Sequence, residues 1–211
     1  MSAIPLQHDD DDFYPESDGK PMAESDLHRK EMMYLIEALD GWYEGAPDVY
    51  VAGDLLLYYV RGDRRSVVAP DVFVVKGIPK GDRKSYKLWE EGRGPSFVIE
   101  VTSDSTRNED LGRKRSLYEQ WGVEEYFLHD PRKDYLEPGL QGYKLANGRY
   151  QKIMPEADGT LLSRTTGLRL RREGNHLRLI DPATGTPLPG VAELREEVRR
   201  LRRELEALGN S

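Results

Sequence analysis

At 211 residues the chain is long enough to bury one substantial core, so one domain with appendages is expected rather than two. It contains no cysteine, which excludes disulfides, thiolate zinc sites and cysteine nucleophiles and fits a reducing cytoplasm. Of its 38 acids and 31 bases, eight acids and one base fall within residues 1–26, leaving 30 of each elsewhere, so the net charge of −7 belongs to that first segment and excludes no polyanionic partner.

No apolar stretch approaches the roughly 20 residues of a membrane-spanning helix, and the N-terminus lacks a signal-peptide pattern, so a cytoplasmic protein with no membrane partner is expected. Residues 1–24, with Asp9, Asp10, Asp11 and Asp12 in a run and few large apolar groups, read as a flexible acidic tail. Asp26 is placed to cap a helix over 27–39, whose Met32, Met33, Leu35, Ile36 and Leu39 form an apolar stripe that Gly41 ends. Strand character follows at 49–51 and 55–60, then a turn at Arg61-Gly62-Asp63 and the strand after Asp71, which together predict a meander of adjacent strands. The stretch 77–95, with Tyr86 and Trp89, reads as a long surface connection holding a short helical turn, with a substrate-facing lid as the alternative.

A further strand covers 97–101, a helix 109–121 with Leu111, Leu117, Tyr118 and Trp121 facing inward, and another strand 123–128 that His129-Asp130-Pro131 ends. Strand, helix, strand is the pattern of a crossover between parallel strands, so the sheet should be mixed. Residues 135–181 read as β-hairpins extending one core. In the last segment Val191, Leu194, Val198, Leu201, Leu205 and Leu208 alternate spacings of three and four, the seam of a coiled coil. Under three heptads make a marginal coil, and the same stripe would also suit a helix folded back on its own domain.

Two strands each carry one carboxylate, Asp71 beside Val72-Phe73-Val74-Val75 and Glu100 within Phe97-Val98-Ile99-Glu100-Val101, where apolar side chains are the rule. Side by side they would repel, and a divalent cation, Mg²⁺ or Mn²⁺, is their natural partner, with the backbone carbonyl of Val101 as a third oxygen. Thr102 follows where a Glu-x-Lys arrangement would place its cation. Lys114, flanked by Arg113 and Arg115 on the next helix, is the candidate to project over the pair, orient a hydroxide and offset phosphate charge.

Taken in order, Ala-Pro-Asp-Val-Phe-Val-Val at 69–75, Phe-Val-Ile-Glu-Val-Thr-Ser at 97–103, Arg-x-x-Asp-Leu-x-x-Lys at 107–114 and Tyr-x-x-x-Gly-Val-x-Glu-Tyr-Phe-Leu-x-Asp-Pro at 118–131 resemble the Uma2 family, restriction-endonuclease-like proteins of the PD-(D/E)XK superfamily. The resemblance spans about 25–190 and implies an α/β (α+β) restriction-endonuclease-like core, a mixed sheet flanked by helices, here with extra hairpins and a C-terminal coiled-coil-like helix over 191–211. It matches Asp71 and Glu100 to the acidic motif positions and points to Lys114 for the displaced lysine.

Each residue has a plainer reading. Asp71 can bond a turn, Glu100 can face water from an edge strand, and Lys114 can lie on a solvated helix face. Asp110 reads as a cap or an Arg partner. Asp54 reads as a turn residue that could also reach the metals. His28 can reach the site or sit in the structure, and Arg107, Arg113 and Arg115 can contact phosphates or pair on the surface. The expected function is a Mg²⁺-dependent endonuclease acting on DNA rather than RNA, dimerising through the last helix. The alternative is an inactive nuclease-fold binding or assembly module.

Overall fold

The computed structural model describes residues 14–17, 25–104 and 106–209. The Asp run and most of the expected acidic tail lie outside the described residues. Within that segment Tyr14 departs from the expectation. It is 3% exposed, packed between Tyr58, which it meets edge-on, and Trp89, and its hydroxyl accepts the Gly62 N–H, while the Tyr58 hydroxyl donates to the Pro15 carbonyl at 2.7 Å.

Helix α1 runs Asp26–Trp42. Its cap is Ser25 rather than Asp26: Ser25 has extended backbone and its hydroxyl accepts the His28 N–H, whereas Asp26 sits in the first turn and pairs with Arg29. Gly41 stays helical, and the helix closes where the Tyr43 N–H donates to the Leu39 carbonyl. Of the expected stripe, Met32, Leu35 and Leu39 are buried, while Met33 faces solvent.

The main sheet has six strands in the order β1 (Val49–Ala52), β4 (Val72–Lys76), β6 (Phe97–Val101), β7 (Glu125–His129), β8 (Leu140–Ala146) and β9 (Arg149–Lys152). As the crossover pattern predicts, β6 and β7 are parallel and every other pair is antiparallel. The predicted meander is corrected. β1 pairs directly with β4, and the chain between them leaves to form a small sheet of β3 (Val67–Val68), β2 (Leu57–Tyr58) and β5 (Tyr86–Lys87). Within the stretch 77–95 only Tyr86–Lys87 join that sheet: Tyr86 is fully buried, its hydroxyl donates to the Arg93 carbonyl, and helix α2 (Leu88–Glu91) follows it directly, while 79–82 stay exposed. The stretch is thus a surface connection with a short helical turn, anchored at Tyr86.

Strand alternation splits the main sheet into two apolar faces. Val72, Val74, Phe97, Ile99 and Val101 pack with Leu35 and Leu39 of α1, and with the three-stranded sheet of β10 (Leu161–Leu162), β11 (Arg169–Glu173) and β12 (His176–Ile180). Phe73, Val75 and Val98 pack on the opposite side with Leu57, Tyr86 and Tyr118. Glu100 shares the parity of Val98, so its carboxylate points into that second layer, where the helical segment 107–121 lies.

That segment is α3 (Arg107–Glu109), a π-helical turn (Asp110–Lys114) and α4 (Arg115–Trp121). The π turn shifts the expected inward face: Leu111 is outward, and Asp110 and Lys114 are buried instead. The last helix, α5, runs Val191–Gly209. Among the described residues no helix is long and apolar enough to cross a membrane.

One glycine fixes where Asp71 sits. Gly53 lies against it so closely that an added Cβ would fall 2.1 Å from the Asp71 carbonyl oxygen and 2.6 Å from Ile36 Cδ1. Gly53→Ala must therefore move the backbone that carries Asp71, and is expected to cost about 1–3 kcal/mol. A urea melt superimposable on that of the wild type would contradict this packing.

Candidate active site

Asp71 follows Pro70 immediately before β4, and Glu100 is the fourth residue of β6. The two are laced together through backbone amides. The Val101 N–H donates to Asp71 Oδ2 at 2.7 Å, and the Asp71 N–H donates to Glu100 Oε2 at 3.2 Å. Because a strand residue's N–H and C=O leave on the same side, the Val101 carbonyl opens onto the edge where Asp71 sits.

The helical segment supplies the rest at a spacing of four. Lys114 Nζ donates to Glu100 Oε2 at 2.8 Å and lies 3.3 Å from Asp110 Oδ1, and the Tyr118 hydroxyl donates to Glu100 Oε1 at 2.6 Å. Asp110, Lys114 and Tyr118 thus form one polar stripe aimed at Glu100. From α1, His28 brings Nε2 to 3.5 Å from Asp71 Oδ2 and 3.0 Å from Met32 Sδ. Thr102 is buried and donates its N–H to the His129 carbonyl, so the cation comes from the helix and not from the strand.

Three carboxylates and one ammonium share this largely dry space, and their titration is displaced accordingly. Burial, with the charges of Asp71 and Asp110 added, pushes Glu100 well above the ordinary carboxylate range despite Lys114. Asp110 is raised too, by burial first and by Asp71 next, against Lys114. Burial works on Asp71 in the same sense, but the His28 contact, the Lys114 charge and the Val101 N–H outweigh it and hold Asp71 low. Burial alone would pull Lys114 down; the carboxylates of Glu100, Asp71 and Asp110 reverse this and raise it, so its ammonium is charged across the neutral range.

Beside this cluster opens a cleft of about 310 Å³ whose lining includes His28, Thr102, Asp130, Arg132 and Tyr135. Arg107 lies over the Tyr135 ring at 5.4 Å, behind the cleft lining. Arg113 and Arg115 are elsewhere. The first is held by Glu109, the Tyr59 hydroxyl and the Val67 carbonyl, and the second covers the Tyr143 ring. Asp54 occupies an exposed turn with φ of 49°.

The chain matches the Uma2 family, described as "Putative restriction endonuclease", over residues 5–175. It belongs to that family. Among solved structures, this Uma2 chain is similar to a protein of Anabaena variabilis ATCC 29413 described as a "putative nuclease belonging to DUF820", with a TM-score of 0.50, 15% identity, and coverage of 70% of this chain and 77% of that one. At that identity the likeness carries the fold alone. No curated protein matches the chain.

The donor set of this Uma2 site suits a hard divalent cation, being carboxylate and carbonyl oxygens in negative excess over one lysine. Both Asp110 carboxylate oxygens are buried without a hydrogen-bond partner among the described residues, as is Thr102 Oγ1. Lys114 stands within that excess, and among the described residues no three His, Asp or Glu side chains surround a common point as a ready-made cage. Asp110 is neither a cap nor an Arg partner, as the sequence suggested, but the third acid around Lys114. Asp-x-x-x-Lys-x-x-x-Tyr at 110–118 was the readable signal for it.

Another buried carboxylate, outside this cluster, lies on α1 one turn beyond His28. Glu31 accepts the Leu177 N–H at 2.9 Å and His176 Nδ1 at 2.5 Å, and lies 3.4 Å from His129 Nε2. Burial would raise its pKa, but His129, the Leu177 N–H and His176 together hold it below the usual carboxylate value. A depressed folded-state pKa contributes stability that is present above the unfolded value of about 4.3 and lost as the pH falls through the folded one. Glu31→Gln is thus expected to lose about 1.5–3 kcal/mol near pH 7 and to converge on the wild type as the pH falls through the folded value of Glu31 in urea denaturation. A gap that persists at the acid end would show that charge is not the source.

Proposed function

We propose that this Uma2 protein is a Mg²⁺- or Mn²⁺-dependent endonuclease that hydrolyses phosphodiester bonds of DNA and works as a homodimer in the cytoplasm. The observation that carries the reading is the buried cluster in which Glu100 and Asp110 meet Lys114 and Asp71 is joined to Glu100, beside a cleft open to solvent. The family's description as a restriction endonuclease supports DNA over RNA.

Asp71, Glu100 and the Val101 carbonyl would hold the ion, with Asp110 close by to balance charge. The ion, when bound, supplies a water acidified toward neutral pH and draws charge from a non-bridging phosphate oxygen. Lys114 stays protonated, which makes it a donor to the oxygen where negative charge develops and not a general base. Tyr118 donates to Glu100 Oε1 and fixes the rotamer of that carboxylate, while the Val101 N–H and His28 fix Asp71. Arg132 at the cleft wall, with Arg107 beside Tyr135, would meet backbone phosphates flanking the scissile one.

One observation favours the alternative of an inactive binding module: both Glu100 oxygens already accept hydrogen bonds, from Lys114, Tyr118 and the Asp71 N–H. Incubating the purified chain with supercoiled plasmid and with an RNA oligonucleotide, each in Mg²⁺, Mn²⁺ or EDTA, separates the readings. Nicked or linear plasmid in the metal lanes alone is the expected result. Intact DNA in all three overturns the proposal, and cleavage confined to RNA reassigns the substrate.

A further inference from the structure

Helix α5 leaves the domain at a fixed root and then presents an uncovered apolar seam. At the root, the Tyr34 hydroxyl donates to the Leu188 carbonyl, Glu193 accepts the Gly190 N–H, and both Glu193 oxygens accept from Arg178 of β12. Beyond it, Leu194, Val198, Leu201, Leu205 and Leu208 are between 44% and 75% exposed, so the stripe is not folded back on the domain. Over about 21 Å of helix, at 1.5 Å per residue, no side chain among the described residues seals it.

The residues flanking the seam identify the occupant. Val191, Val198 and Leu205 take the first core position of each heptad and Leu194, Leu201 and Leu208 the second. Valine at two of the three first positions and leucine at all three second positions favour two parallel strands. On one shoulder stand Glu197 and Glu204, on the other Arg195 and Arg202. In a parallel pair each shoulder faces the opposite shoulder of the second copy, so Glu197 meets Arg202 of that copy, twice by symmetry. In an antiparallel pair like shoulders meet, Glu against Glu and Arg against Arg, which repels. Arg200, outside the seam, already bridges Glu197 and Glu204 within one helix and keeps the acidic shoulder extended.

We infer that α5 docks in parallel, in register, with α5 of a second copy of this chain. The pairing stands apart from the nuclease reading; only its consequence rests on it. Parallel pairing sets both domains at the same end of the rod, so two active sites are offered to one duplex, whereas antiparallel pairing would place them at opposite ends.

Because the chain has no cysteine, disulfide trapping of the full-length protein reads the orientation against a clean background. Leu194→Cys and Leu205→Cys should each cross-link to themselves under mild oxidation, and a size-tagged mixture of the two should give no mixed disulfide. In the antiparallel pair residue 194 lies opposite 205, and the two copies of 194 sit about 16 Å apart along the axis, beyond disulfide reach. Light scattering should show a wild-type dimer. The Glu197→Arg, Glu204→Arg double variant should dissociate roughly tenfold or more readily and recover when mixed with the Arg195→Glu, Arg202→Glu variant. Mixed 194–205 disulfides overturn the orientation, and a monomeric wild-type chain overturns the pairing whether or not DNA is cut. A cross-linked dimer that leaves DNA intact overturns the nuclease reading alone.

Discussion

With Lys114 replaced by methionine, DNA cleavage is expected to fall by about 10²–10³-fold, and the folded state to lose about 3–5 kcal/mol near neutral pH. The two losses share one origin. Lys114 is buried with its ammonium 2.8 Å from Glu100 and 3.3 Å from Asp110, so methionine fills the space but leaves two carboxylates without a cation. Both acids already sit above their ordinary pKa through burial, and without Lys114 they rise further. An acid whose folded pKa is raised binds more protons folded than unfolded, so its burden is absent below the unfolded value and grows as the pH climbs through the folded one. The stability deficit should therefore be larger near pH 8 than near pH 5 in urea titrations. A deficit equal at both would mean that lost packing, not charge, is being measured. Removing a competing ammonium should also leave Mn²⁺ binding intact or tighter by calorimetry while turnover falls, which separates Lys114 from a ligand.

How much of this was legible beforehand depended on the range of each signal. Asp71 and Glu100 stood out because a carboxylate inside a β-branched run contradicts its surroundings, and the parallel β6–β7 pair followed from strand, helix, strand. Lys114 was reachable from the Arg-x-x-Asp-Leu-x-x-Lys block, and its placement over Glu100 supplies the cation that Thr102 lacks. Tyr118 was read as apolar because helical periodicity sees its ring and not its hydroxyl, which donates to Glu100. Leu111 was misplaced because a 3.6-residue period cannot anticipate the π turn at Asp110–Lys114, where the wider turn holds residues four apart in line. The small sheet escaped because its strands are two residues long, too short for alternation to register. Glu31 was invisible because its partners, His176 and Leu177, lie some 145 residues away and only the fold brings them together.

Asp71→Asn is expected to reduce cleavage by at least about 10³-fold and to remove measurable Mn²⁺ binding, with stability changed by less than about 1 kcal/mol. Asparagine keeps the shape, and its amide oxygen can still accept the Val101 N–H that Asp71 Oδ2 takes at 2.7 Å, so the junction between β4 and β6 should survive. What disappears is the one site carboxylate whose pKa is held low, and hence the one that is ionised without help when an ion arrives. Glu100 and Asp110, both raised, must give up protons before they can ligate, and each has Lys114 beside it. Loss of the Asp71 charge also relieves both of a repelling neighbour, so their pKa values should fall, which offsets part of the stability that the depressed pKa of Asp71 contributes near neutral pH and leaves any stability change a small loss. Nuclease assays, Mn²⁺ calorimetry and thermal melts on the same preparation give the three readouts together. Retained metal binding with lost cleavage would move Asp71 from ion ligand to substrate positioning. Retention of both would place the reaction centre elsewhere in the cleft, on the side of His28 and Arg132.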